Sequence, residues 1–141
     1  MKIDLAIRKT VKINASASKV WDAITNPKMI KKYLFGIKVI SSWEIGSEII
    51  FQGNWEGKKF RDKGIIEKCE IGKLFQYTYW SAFSGLEDKE ENYSLVTFEL
   101  SEEGKITKLT VSQNGFADKT SQEHSDKGWN MVLQKIKELV E

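Results

Sequence analysis

Apolar and polar residues alternate along most of this chain, and near its end the spacing changes to that of a helix. Ile3, Leu5, Ile7, Val11 and Ile13 share one parity, with Asp4, Arg8, Thr10 and Lys12 on the other. That pattern predicts a strand with one wet face. Asn14 to Ser16 break it, and Ser16 is placed to cap a short helix carrying Val20, Trp21 and Ile24. Asn26-Pro27 ends that helix and starts a second, with Asn26 as cap and Pro27 at its first position. Met29, Ile30, Tyr33 and Leu34 make its apolar side, and Gly36 closes it. From Ile37 to Gln113 strands and tight connections follow, with turns expected at Glu44 to Ser47, Glu56-Gly57-Lys58, Ile71-Gly72-Lys73 and Gly104. Gly53 interrupts the alternation of Ile49, Phe51 and Trp55, which predicts a bulge or bend. A long strand runs through Phe60, Gly64 and Ile66 to about Glu70. In Leu74 to Trp80 the aromatics fall on both parities, so alternation does not choose the inward face. Val96, Phe98 and Leu100, then Leu109 and Val111, make the last two strands.

The final stretch organises the rest. Thr120 and Glu123 have capping-box spacing, predicting a helix from Thr120 to Glu141. Trp129, Val132, Leu133, Ile136, Leu139 and Val140 recur as one apolar stripe. The near half of the same face is small or polar, at Ser121, His124, Ser125 and Gly128. A helix that packs firmly at one end and presents little bulk at the other leaves space beneath it, so a ligand pocket is expected there. One strand, two short helices, about six sequential strands and a long helix make an α+β chain. A single antiparallel sheet of that size curls, and the long helix fills its concave side.

Bulk properties narrow the function. A length of 141 residues fits one domain. The 22 basic and 20 acidic residues nearly balance, and no basic block interleaves with aromatics, which argues against nucleic acid. Cys69 is the only cysteine, so no intramolecular disulfide forms and its expected role is core filling. Met1 to Thr10 hold no signal-peptide core, and no run approaches the roughly 20 apolar residues of a membrane span. The expected location is cytoplasmic.

Several motifs then carry a resemblance: Val20-Trp21-x-Ala23-Ile24-Thr25-Asn26-Pro27, Gly64-Ile65-Ile66-Glu67, Ser94-Leu95-Val96-Thr97-Phe98-Glu99-Leu100, and the Gly128-Trp129 pair. The chain resembles the helix-grip, START-like (SRPBCC) superfamily, and within it small bacterial proteins related to the C-terminal domain of the activator of Hsp90 ATPase. It departs from them at Tyr33, where Trp is common, and at Ser47-Glu48, which replaces a Gly-Asp-like turn. The resemblance covers essentially the whole chain and implies one domain over residues 1–141. It further implies a curved sheet of six to seven strands around the last helix, with a hydrophobic small molecule or lipid held between them. Two alternatives come with it: an enzyme of the cyclase or hydrolase kind, and a chaperone-associated stress-response protein. A monomer and a homodimer are both compatible with it.

Candidate chemistry is sparse. His124 is the only histidine, which removes a histidine-built zinc site. It is either a pocket acid–base group or, more simply, a polar residue of the first helical turns. No G-x-S-x-G occurs, and Cys69 has no histidine near it in sequence. Glu44, Glu48, Glu56 and Asp62 lie near turns, where solvated roles are expected. The aromatics remain. Tyr33, Trp43, Phe51, Trp55, Phe60, Tyr79, Trp80, Phe98 and Trp129 are candidate pocket walls, with Gly128 leaving room and His124 and Ser125 offering polar contacts. A binding protein without cofactor or metal is expected in preference to an enzyme.

Overall fold

The alternating stretches form one curved antiparallel sheet of seven strands. The computed structural model describes residues 6–34, 36–82, 85–116 and 118–141, the side chain of Trp55 excepted. Strand β1 (Ile7–Ile13) is followed by helices α1 (Ala17–Thr25) and α2 (Pro27–Tyr33). Then come β2 (Lys38–Ser41), β3 (Glu48–Trp55), β4 (Lys58–Glu70), β5 (Leu74–Tyr79), β6 (Ser94–Glu103), β7 (Ile106–Asn114) and α3 (Lys119–Val140). The strand order is β1-β7-β6-β5-β4-β3-β2, so β2 to β7 lie in sequential order and β1 closes the far edge beside β7. The expected start of the first strand at Ile3 and Leu5 lies outside the described residues.

Local chemistry explains the joints. Ser16 Oγ accepts the Lys19 amide at 3.3 Å, and Asn26 Oδ1 accepts that of Lys28 at 3.0 Å with Pro27 at the first helical position. These are the caps expected from sequence. Glu56 and Gly57, at φ 51° and 82°, form a two-residue hairpin loop of the kind that matches strand twist. The inward face carries Phe51, Ile66, Phe75, Val96, Phe98, Leu109 and Val111, all buried. From the helix side, α3 buries Val132, Leu133 and Ile136 against that core. Each such aliphatic side chain stabilises the fold by about 1.5–3 kcal/mol. The far end of α3 is also tied to β1. Lys137 Nζ donates to the Lys12 carbonyl at 3.0 Å, and the Glu141 carboxylate accepts the Asn14 amide at 2.8 Å.

Two expectations need correction. Gly53 makes neither bulge nor bend: β3 and β4 pair without a break from Glu48↔Ile65 to Trp55↔Lys58. Its missing side chain makes room for a ring, because a Cβ there would stand 2.6 Å from Phe60 Cζ. The register shift lies between β4 and β5, between Ile66 and Lys68. The second concerns the helix start. Asp118, not Thr120, caps α3, its Oδ1 accepting the Ser121 amide at 2.8 Å. A carboxylate also suits the positive end of a helix, so the cap falls on the aspartate and Thr120 becomes part of the first turn.

Candidate functional site

Strand parity decides what faces the helix. In β5, Phe75 and Tyr77 are buried, and Tyr79 continues their face as far as the end of the strand. At this end of the sheet the inward positions turn polar. Asp62 on β4, Ser94 on β6 and Gln113 on β7 are all buried. Asp62 was expected to be solvated near a turn, but it lies inward in mid-strand with both carboxylate oxygens engaged. Its Oδ2 accepts the Tyr79 hydroxyl at 2.6 Å and its Oδ1 the Ala82 amide at 2.8 Å. A buried carboxylate is tolerable only when hydrogen-bonded in this way. A second chain of bonds crosses from helix to sheet. Trp129 Nε1 donates to Gln113 Oε1 at 2.7 Å, Gln113 Nε2 to Ser94 Oγ at 3.0 Å, and Ser94 Oγ to the Tyr79 carbonyl at 3.3 Å.

Above this polar end, under the first turns of α3, lies a half-open cleft of about 530 Å³. Its walls are Tyr79, Trp80, Leu86 and Phe116; its floor includes Ser94 and Gln113; its roof is Thr120, Ser121, His124 and Ser125. Among the described residues, no Asp, Glu, Lys or Arg lines it. Trp80 Nε1 donates to the Leu86 carbonyl at 3.2 Å, which holds the connecting loop against the cleft. That volume is within the usual span of small-molecule pockets, and the mixture of rings with a few polar groups is their usual lining.

The matches to other proteins are consistent with this architecture. The family model described as "Activator of Hsp90 ATPase homolog 1-like protein" matches residues 14–141. The chain belongs to that family. The solution structure of ChR145 from Cytophaga hutchinsonii is 37% identical over 99% of this chain and 95% of its own, with a TM-score of 0.84. MLL2253 from Mesorhizobium loti shares the fold at 22% identity and a TM-score of 0.79, over 96% of both chains. So does the Aha1 dimer from Colwellia psychrerythraea, at 17% identity and a TM-score of 0.76, over 97% of this chain and 96% of that one. No curated protein matches the sequence.

This family member distributes the sequence-predicted residues over three places. Tyr79, Trp80, His124 and Ser125 meet in the cleft. Tyr33, Phe51 and Phe98 are buried in the core behind it, with Trp129 edge-on to Phe98 at 5.6 Å. Elsewhere, Trp43 packs against Phe75 with its ring tilted at 5.8 Å, and Phe60 sits over Gly53. The side chain of Trp55 lies outside the described residues. Gly128 does not line the cleft, yet it belongs to the same stripe of α3 as Ser125, which does, and Val132, which is buried. A Cβ built at Gly128 meets nothing within 4 Å, so close packing does not explain that glycine. Sequence reasoning missed Asp62, Ser94 and Gln113. Their signal was present: each is a polar residue on the parity of its strand's buried apolar residues. Among the described residues, no group of three or more His, Cys, Asp or Glu could hold a metal ion.

Three tyrosines record how dry this interior is. Burial pushes the phenols of Tyr33, Tyr77 and Tyr79 well above their ordinary value, and the Asp62 carboxylate adds to the effect on Tyr79. Tyr93 is pushed up to about 12 by desolvation and by its hydrogen bond to Asp88. Phenols of the unfolded chain ionise near about pH 10. The folded state therefore holds more protons above that pH. The stability these groups contribute is whole below about pH 10 and is lost as pH rises towards the folded values. In an alkaline titration followed by phenolate absorbance and circular dichroism, no phenolate step should appear near pH 10. The ionisation of Tyr33, Tyr77 and Tyr79 should coincide with unfolding. A step worth several tyrosines near pH 10 in folded protein would contradict the buried placement.

Proposed function

We propose that this protein binds a small, uncharged, largely aromatic molecule between the concave sheet and the first turns of α3. The cleft of about 530 Å³ under that half of the helix carries the reading, because it joins aromatic walls to hydrogen-bonding groups without a fixed charge. A carboxylate or ammonium ligand would give up part of its hydration there and find no opposite charge among the described residues of the lining, which disfavours it. Binding is favoured over catalysis because His124 is exposed and, among the described residues, no nucleophile is hydrogen-bonded to it.

The test uses Gly128. Glycine within a helix costs about 1 kcal/mol relative to alanine. Leucine at this position gains that propensity and enters the space found there, so Gly128→Leu should raise the melting midpoint by a few degrees, on the scale of roughly 2–8 °C per kcal/mol. A side chain at this position leans back over Ser125, which roofs the cleft, and so intrudes on the ligand. Titration with Nile red, followed through the dye and through tryptophan quenching, should saturate near one equivalent in the wild type and weaken at least tenfold in the variant. A folded wild type that shows no saturable change, or a destabilised Gly128→Leu that binds the dye as well as the wild type, would count against the reading.

A further inference from the structure

Two hydroxyls behind the cleft are left over by the packing. The side chains of Tyr33 on α2 and Tyr77 on β5 are more than nine-tenths buried, at 4% and 6% exposure. Neither hydroxyl has a hydrogen-bond partner among the described residues, whereas the neighbouring Tyr79 hydroxyl is held by Asp62. Burying a phenol oxygen without a partner is unfavourable, and phenylalanine would fill the same volume without that penalty. Yet among the described residues no fully enclosed polar side-chain atom lacks a partner, so neither of these oxygens is completely enclosed. The two belong to one group. Tyr77 is the next inward residue from Tyr79, which lines the cleft, and Phe51 bridges them with its ring 5.7 Å from each. The Tyr33 and Tyr77 phenols are also near enough for the charge of one to disfavour that of the other.

We propose that the Tyr33 and Tyr77 hydroxyls form the inner, hydrogen-bonding end of the ligand site and receive a hydroxyl or carbonyl oxygen of the bound molecule. This rests on the binding function above and narrows its ligand to a neutral, oxygen-bearing aromatic compound, such as a phenol, quinone or aryl ketone. A plain hydrocarbon would leave both hydroxyls unpaired. A fatty acid or other carboxylate would bring a charge towards Asp62, with no cation among the described residues of the cleft lining to meet it. Both tyrosines can donate to a carbonyl, and either can accept from a phenol. Phe51, Phe75 and Phe98 pack around the Tyr77 ring, so the region behind the cleft is otherwise apolar.

The test compares 2-naphthol with 2-methylnaphthalene, a pair of one shape differing in the hydroxyl. Both are titrated by tryptophan quenching into the wild type, Tyr33→Phe and Tyr77→Phe, with circular dichroism confirming the fold. The quantity read is the ratio of the two affinities in each protein. Relative to the wild type, that ratio should shift about tenfold against naphthol in at least one variant, while the affinity for the hydrocarbon stays within about twofold. A ratio unchanged in both variants overturns the subsite and leaves the hydroxyls to a structural water, with the binding function intact. If neither compound quenches folded wild type saturably, the binding function itself falls, and the subsite with it.

Discussion

Replacing Gly64 with alanine should be the most damaging single methyl that can be added to this protein. A Cβ at Gly64 would stand 1.5 Å from the carbonyl oxygen of Thr78 and 2.5 Å from its carbonyl carbon, both backbone atoms of the neighbouring strand. No rotamer can relieve that contact, so β4 and β5 must part. They are fastened at this point. The Lys63 and Trp80 backbones exchange hydrogen bonds at 3.1 and 2.8 Å, and the Ile65 amide donates to Thr78 Oγ1 at 2.9 Å. The loss should exceed about 4 kcal/mol, the exceptional end of the range for point substitutions. The midpoint should then fall by about 10 °C or more, or the variant should fail to accumulate in soluble form. Gly53→Ala is the control. Its Cβ would also be too close, at 2.6 Å, but to the Phe60 ring, which can turn aside. Overpacking of about 1–3 kcal/mol is expected there. Thermal melts of the two variants side by side decide the point, and a Gly64→Ala protein melting within a few degrees of wild type would refute the close strand approach.

The same two glycines show what the sequence can and cannot display. Gly53 and Gly64 both interrupt an alternating strand, and nothing in the pattern separates a bulge from a place where another group comes too near. That difference depends on Phe60 in one case and on a β5 carbonyl in the other, and each partner is fixed only when the strands pair. Caps and hairpins were legible because their causes are local: Ser16, Asn26-Pro27 and Glu56-Gly57 act within three or four residues. Asp118 had an equally local signal, but the Thr120–Glu123 spacing competed with it, and the carboxylate's fit to the helix dipole decided the outcome. The inward face of β5 was not legible, since rings fall on both parities and only the pairing with β4 and β6 assigns them.

The candidate site was legible in outline and not in detail. Small residues on the near half of α3 announced a space, and the structure has a cleft roofed by Ser121, His124 and Ser125. Its floor was hidden because Ser94 and Gln113 lie on different strands, and only the antiparallel pairing of β6 with β7 brings them to one end of the sheet. Counting polar residues on buried parities, strand by strand, would have found both, and Asp62 as well. Aromatic content was a blunter guide. Phe51 and Phe98 point inward as supposed, but they are core residues that carry the rings of Tyr77 and Tyr79 or Trp129.

Phe75→Ala should give the second-largest loss, and for a different reason. Phe75 is 1% exposed and is the meeting point of three elements. Its ring lies 6.2 Å from Trp21 of α1, 5.8 Å from Trp43 after β2, and 5.3 Å from Tyr77 beside it. Truncation removes the buried ring and leaves a cavity that three separately anchored aromatics cannot all close. The expected cost is about 3–5 kcal/mol, or a midpoint lower by roughly 10–20 °C at a few degrees per kcal/mol. Trp43 adds a signature. Its backbone stands at φ 63°, a conformation unfavourable for a bulky residue and kept only when its surroundings hold it. With Phe75 gone, Trp43 loses its packing partner and is free to leave that conformation, so the near-ultraviolet dichroism of the tryptophans should weaken even well below the midpoint. Phe75→Leu, which retains most of the volume, should lose far less stability and keep most of that signal. A Phe75→Ala protein that melts within about 1 kcal/mol of the wild type with its aromatic dichroism unchanged would show that α1, the Trp43 turn and the sheet hold together without this ring.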